Sequence, residues 1–163
     1  MSTYVIGDIH GCFDQLVDLL NKINYKKNED KIILVGDLVN RGPDSLSVLN
    51  YCMADSNIIT VLGNHDLYLL YLLSIDKAKG SLKEVVEADN KKQIFKWLLK
   101  MPLMMEIDDE LSGNSFLISH AGIPEIWSPK KTKELASEVT SLLQKNPLKV
   151  LQSMWGDNPN KWH

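Results

Sequence analysis

Apolar and polar positions alternate in blocks through the first half of the chain. Tyr4–Ile6 is a short apolar run that reads as a strand. Phe13, Leu16, Val17, Leu20 and Ile23 then recur at three- and four-residue intervals, the spacing of one helix face. Lys31–Val35 (KIILV) is continuous and apolar, the pattern of a strand covered on both faces. Leu46, Leu49, Cys52 and Met53 mark a second helix, with Pro43 and Asp44 near its start. Ile58–Leu62 predicts a third strand. His65–Ile75 predicts a third helix, so apolar around its circumference that it should be deeply buried. This βαβαβα order predicts a parallel sheet with right-handed crossovers.

The second half reads differently. Lys91–Lys100 predicts a helix with Ile94, Phe95 and Leu98 facing inward. Met104–Ile107 and Ser115–Ile118 predict a hairpin, joined by a turn over Asp108–Asn114 that contains Gly113. Leu135, Val139, Leu142 and Leu143 predict one last long helix, followed by a short tail, MWGDNPNKWH. No repeat, linker or low-complexity tract interrupts the pattern, so residues 1–163 are expected to form one α/β domain.

Composition narrows the function classes. The chain has 163 residues, 44% of them hydrophobic and 24% charged, which suits a folded domain and argues against disorder. A net charge of −3 supplies no basic field for nucleic acid, and no nucleic-acid partner is expected. Short lysine pairs such as Lys26–Lys27, Lys91–Lys92 and Lys130–Lys131 read as solvated surface. Cys12 and Cys52 have no zinc-site spacing and are expected to be reduced thiols. No apolar run reaches the roughly 18 residues of a membrane span, and no leader precedes the first strand. The expectation is a cytoplasmic protein with no membrane partner.

The candidate chemistry sits in four strings: GDIHG at 7–11, GDLVNRG at 36–42, GNHD at 63–66 and SHAG at 119–122. Each closes an apolar run predicted to be a strand. In an open α/β sheet the carboxyl ends of the strands face the ligand crevice. Asp8, His10, Asp37, Asn64 and His120 are therefore expected to converge at one edge of one sheet. Asp8 and His10, two apart, would share one side of an extended segment. The set mixes carboxylate, amide oxygen and imidazole and lacks thiolate. That chemistry suits two divalent ions, best Mn²⁺, with Fe²⁺, Co²⁺ and Zn²⁺ as alternatives. Two ions about 3.5–4 Å apart need a shared ligand, and a carboxylate can bridge. Cations beside Arg41 are what attack on an anionic phosphate requires.

The order GD-x-HG, GD-x-x-x-RG, GNHD, SHAG resembles the calcineurin-like metallophosphatases. GDLVNRGPDSL, LGNHDLYLL, SHAGI and MWGDNPNKW are similar to the bacterial symmetrical diadenosine tetraphosphatases, relatives of the serine/threonine phosphatases. The resemblance implies a β-sandwich flanked by helices, of which this chain holds the N-terminal portion with the second sheet largely missing. It implies that Asp8 and His10 hold one metal, that Asp37 bridges, and that Asn64 and His120 hold the other. A hydroxide between the ions would be the nucleophile. Arg41 would clamp the attacked phosphate, and Asn64 would also face the substrate. His65 would be no ligand, but would protonate or steady the departing oxygen. The substrate would be a dinucleoside tetraphosphate, cut at its centre into two nucleoside diphosphates.

Two departures from the family pattern carry expectations. Protein phosphatases have an aspartate at the position of Asn40, which can still accept a hydrogen bond but carries no charge; this tilts the reading away from protein phosphatase. The family also continues beyond this chain, into a segment that brings another histidine ligand and another arginine. His163, at the terminus, is not expected to replace them. The second metal should then bind weakly, and an apolar sheet face should lie open or be covered by a homo-oligomer. A non-catalytic metal- or nucleotide-binding remnant and a phosphatase of broader range are the alternative readings.

Overall fold

Strand β1 (Thr3–Ile6) pairs in parallel with β2 (Lys31–Leu34), and β2 pairs in parallel with β3 (Ile58–Thr60), giving sheet order β1-β2-β3. The computed structural model describes residues 2–109 and 113–156. Helices α1 (Phe13–Lys22), α2 (Ser45–Met53) and α3 (Asn64–Ser74) follow the three strands in turn. The predicted βαβαβα half is thus present, with β2 and β3 shorter at their carboxyl ends than their apolar runs. Val35, Val61 and Leu62 already belong to the loops that leave the sheet.

The core lies between this sheet and its helices. Ile32, Leu34, Ile58, Leu49, Val48, Leu69 and Leu70 are buried within one cluster. Asp44 caps α2 by accepting from the Ser47 N–H at 2.9 Å. Helix α3 buries Leu67, Leu69, Leu70 and Leu72, as its all-round apolar pattern requires. The row Val5, Ile33, Ile59 runs across the three strands in register. Ile33 is buried, but Val5 is 50% exposed and Ile59 37% exposed, so an apolar strip stays open at both edges of the sheet.

The second half departs from the sequence reading in three places. A 3-10 turn (Gly80–Leu82) runs into a short helix, α4 (Lys83–Val86), where no element is predicted. Its apolar Leu82, Val85 and Val86 are buried at helical spacing, but the run is too short for that periodicity to be read. It is tethered instead by Glu84, whose Oε1 accepts from the Ser45 N–H at 2.9 Å and the Leu46 N–H at 3.3 Å, the open first turn of α2. Second, the expected helix is present as α5 (Lys91–Leu98) and the expected hairpin as β4 (Met104–Asp109) and β5 (Asn114–Ser119), but the hairpin is an antiparallel sheet of its own and does not join the parallel one. Third, the last long helix is two: α6 (Pro129–Lys145) and α7 (Pro147–Ser153). Pro147 cannot continue the hydrogen-bonding of α6 and instead opens the next helix. Asp157–His163, including most of the tail motif and His163, lies outside the described residues. Among the described residues no helix is long and apolar enough to cross a membrane.

Leu70 is fully buried at the heart of α3. Leu70→Ala should cost about 2–5 kcal/mol in urea unfolding, the usual cost of a core cavity. A loss below about 1 kcal/mol would mean that α3 does not pack as described.

Candidate metal centre

The loops that leave the three parallel strands are tied to one another before any site side chain is placed. The Ile9 and His10 N–H groups donate to the Asp37 carbonyl at 3.1 and 2.8 Å, and the Gly11 N–H donates to the Leu38 carbonyl at 2.8 Å. The Gly42 N–H returns to the His10 carbonyl at 2.7 Å. Beneath them lies Asp66, wholly buried in the first turn of α3. Its Oδ2 accepts from the Asp37 N–H at 2.8 Å and the Gly63 N–H at 2.9 Å, and its Oδ1 from the Leu38 N–H at 3.0 Å. Burial pushes the Asp66 carboxyl up to about 7, while these N–H donors pull it down.

This clasp leaves little room. A Cβ on Gly63 would meet Asp37 Oδ1 and lie 2.5 Å from the Asp37 nitrogen, so only glycine fits between the β2 and β3 exits. The backbone is also forced into left-handed conformations at non-glycine residues: φ is 50° at His10, 52° at Asp37, 74° at Asn40 and 67° at Arg41. Such clustering of strained residues is common where a scaffold holds functional groups.

Around Asp37 the side chains converge. Its Oδ2 lies 3.9 Å from His10 Nε2, 3.9 Å from His65 Nε2 and 3.5 Å from His120 Nε2. Asp8 joins from the other side, with Oδ2 3.4 Å from His10 Nε2 and Oδ1 3.9 Å from His120 Nδ1. Asn64 Oδ1 lies 3.2 Å from His120 Nε2. Asp37 is itself anchored, its Oδ1 accepting the His65 N–H at 2.9 Å. All five expected ligands therefore meet in one cluster.

Two expectations about how they meet are corrected. Asp8 and His10 do not lie on an extended segment; the chain turns at His10, whose positive φ swings the ring back toward Asp8. His120 does not come from the same sheet. It follows β5 of the separate hairpin, and its Nδ1, 2.9 Å from the Val35 carbonyl, ties that hairpin to the end of β2.

Around Asp37 Oδ2, three imidazole nitrogens stand at separations longer than a good hydrogen bond. Carboxylate, imidazole and amide oxygens spaced in this way form a donor set that fits a divalent cation. Among the described residues, His10, Asp37 and His65 bring potential ligand atoms within 4.8 Å of one another. Distance alone thus does not exclude His65 as a ligand.

Its surroundings set His65 apart. The Asn40 side chain reaches its Nδ1 at 2.7 Å, and its ring meets that of His10 edge-on at 4.9 Å. Burial pushes the His65 imidazole below its ordinary pKa, with His10, Arg41 and His120 adding to the effect and Asp37 opposing it. Arg41 stands exposed on the rim. Asp66, the residue that fixes the loops, belongs to none of the ligand distances above. Its signal in the sequence was an acidic residue three positions after Gly63, in the first turn of a helix.

A cluster of acidic, imidazole and amide donors at the exits of parallel strands defines a metal-binding α/β phosphoesterase type of site. The chain belongs to the calcineurin-like phosphoesterases, whose family model matches residues 1–163. This is a metallophosphoesterase family, and family membership implies divalent metal ions. The chain is 41% identical over 167 aligned positions to a symmetrical bis(5'-nucleosyl)-tetraphosphatase of Proteus mirabilis, covering 99% of this chain and 60% of that protein. The protein of the same name from Escherichia coli O17:K52:H18 (strain UMN026 / ExPEC) is also 41% identical, covering 99% and 58%. The chain thus spans about three-fifths of the length of these curated relatives. The crystal structure of a presumed diadenosine tetraphosphatase superposes with a TM-score of 0.65 at 29% identity, covering 80% of this chain and 58% of that one. A serine/threonine phosphatase from Saccharomyces cerevisiae shares the fold at TM-score 0.53 and 22% identity, covering 76% of this chain and 42% of that one.

Asp66→Asn keeps the shape but points an amide N–H₂ at a backbone donor. It should cost about 1–3 kcal/mol of stability. The native Asp66 carboxyl titrates near 7, above the ordinary 3.8, so the folded state holds its proton more tightly than the unfolded chain. Its stabilising contribution is therefore present below the unfolded value and lost as pH rises through about 7. Thermal melts of the metal-free protein should show the gap between parent and variant narrowing over that range; a widening gap would contradict the assignment.

Proposed function

We propose that the chain carries the metal centre of a hydrolase that cuts dinucleoside polyphosphates symmetrically, taking diadenosine tetraphosphate to two ADP. The observation that supports this most is the meeting of Asp8, His10, Asp37, Asn64 and His120 in one cluster of side chains. The names of the curated relatives supply the substrate class. In this reading Asp8 and His10 hold one divalent ion, Asn64 and His120 the other, and Asp37 lies between. The oxygen and nitrogen donors, without thiolate, suit Mn²⁺. When bound, the ions supply positive charge and lower the pKa of water for in-line attack on phosphorus.

The protein's own groups complete the site. Arg41, exposed beside the cluster, presents a planar fork that matches two oxygens of a phosphate. His65 Nε2 faces Asp37 Oδ2, where it can donate a hydrogen bond to the departing oxygen. Asn64, at the start of α3, adds an amide to the substrate side and the positive end of the helix to the local field. The same reading places the protein in the cytoplasm. Its open strip of Val5 and Ile59 fits a second copy as partner.

With Mn²⁺ and diadenosine tetraphosphate, chromatography should show ADP as the sole nucleotide product. ATP plus AMP would replace central with asymmetric cleavage. Asp37→Asn should lower turnover at least about 100-fold, the scale of losing one preorganised electrostatic group. Sedimentation velocity at micromolar concentration should show a species heavier than the monomer, and a clean monomer would count against the second copy.

A further inference from the structure

Residues 80–86 present two faces. Leu82, Val85 and Val86 are buried in the main core, so the segment is anchored from beneath. Ser81 and Glu84, three positions apart, both reach out to the turn that carries Arg41. The Ser81 hydroxyl donates to Asn40 Oδ1 at 2.6 Å. Glu84 Oε1 accepts from the Ser45 N–H at 2.9 Å and the Leu46 N–H at 3.3 Å. Ser45 is wholly buried, and as the first residue of α2 it has no helical carbonyl to bond, so its N–H depends on an acceptor from outside.

Ser45 passes that hold on toward Arg41. Its Oγ accepts the Asn40 N–H at 3.0 Å. On the other side of Arg41, the Gly42 N–H donates to the His10 carbonyl at 2.7 Å. Arg41 therefore stands between two tied neighbours, in a turn where both it and Asn40 adopt positive φ. Such a backbone persists only where its surroundings hold it. The Gly42 tie belongs to the floor of the site. The Asn40 tie runs through Ser45, and the position of Ser45 is set by Glu84. Glu84 acts at a distance, since its bonds go to backbone N–H groups beyond Arg41 in the chain.

We propose that Glu84 is a positioning residue for Arg41. By clamping the start of α2 to a segment rooted in the core, it keeps the Asn40–Arg41 turn in one conformation. The guanidinium then meets a phosphate without first having to order its own loop. Without the clamp the turn relaxes toward ordinary backbone angles, and each binding event must restore it. The part of Glu84 that matters is an acceptor oxygen at the right reach, not its charge. Glu84→Gln, which keeps an acceptor oxygen on a side chain of the same length, should therefore serve, and Glu84→Ala should not. The role of Arg41 as phosphate clamp rests on the hydrolase reading above; the tether does not.

Hydrogen exchange at single amides of the metal-free protein, followed by NMR, reads the tether with no substrate. The Asn40 N–H should exchange about 10-fold faster in Glu84→Ala than in the parent, and at the parental rate in Glu84→Gln. With Mn²⁺ and diadenosine tetraphosphate, Glu84→Ala should lower kcat/KM about 10-fold, within the roughly 100-fold that misplacing a substrate-positioning group costs. Glu84→Gln should restore it, and Mn²⁺ affinity should stay parental in both. In an Arg41→Ala background, Glu84→Ala should cost nothing further, because the residue it positions is gone. A general loss of structure would lower both backgrounds alike. Should Glu84→Ala fail to fold, Glu84→Asp keeps the charge but falls one methylene short, and should give the same pair of results. Parental exchange at Asn40 in the shortened variant overturns the proposal, as does a second 10-fold loss in the Arg41→Ala background. The predicted exchange in a protein that turns over no phosphate compound supports the tether and sinks the hydrolase reading instead.

Discussion

The structure depends on one buried carboxylate. Asp66 gathers the N–H groups of Asp37, Leu38 and Gly63, three donors from the exits of two neighbouring strands. A charge in that position is costly unless each oxygen is satisfied, and each is. Its role is geometric: it brings the β2 and β3 exits so close that Gly63 can have no side chain. The 8–12 loop then fastens to the β2 exit through the Asp37 and Leu38 carbonyls. Three loops from three strands become one rigid floor, and Asp37 stands at its middle.

On that floor, polarity is arranged by backbone strain. His10, Asp37, Asn40 and Arg41 occupy left-handed conformations that cost a non-glycine residue of order 1 kcal/mol or more each. The hydrogen bonds between loops hold them there. The result is a ring of imidazoles around one carboxylate oxygen, close enough to share a cation and too far apart to satisfy one another. The hairpin of β4 and β5 contributes the last member, His120, through a contact to the Val35 carbonyl. The site therefore draws on both sheets, although most of its scaffold belongs to the parallel one.

The legible parts of the sequence were those with periodicity or a rigid spacing. Apolar runs and helical spacing located β1 to β3 and α1 to α3 to within a few residues, because each element buries a continuous face. The glycine-flanked polar strings placed Asp8, His10, Asp37, Asn64 and His120 at strand exits. Three features lay outside such signals. The 80–86 segment is short and is held by Glu84 and Ser81, contacts across about 40 residues of chain that no local pattern encodes. The break between α6 and α7 was written in Asn146–Pro147, but the apolar spacing of α6 masked it. That the Asn40 amide turns its N–H₂ to His65 could be read only from the Arg41 N–H, which marks the amide oxygen.

The central claim is that Asp8, His10, Asp37, Asn64 and His120 form a cage for divalent cations. Crystals soaked in MnCl₂ and measured on both sides of the manganese absorption edge test it most directly. The account predicts anomalous peaks bonded to Asp37 and flanked by those four side chains. An empty cluster at saturating Mn²⁺, or manganese bound elsewhere on the surface alone, would contradict it.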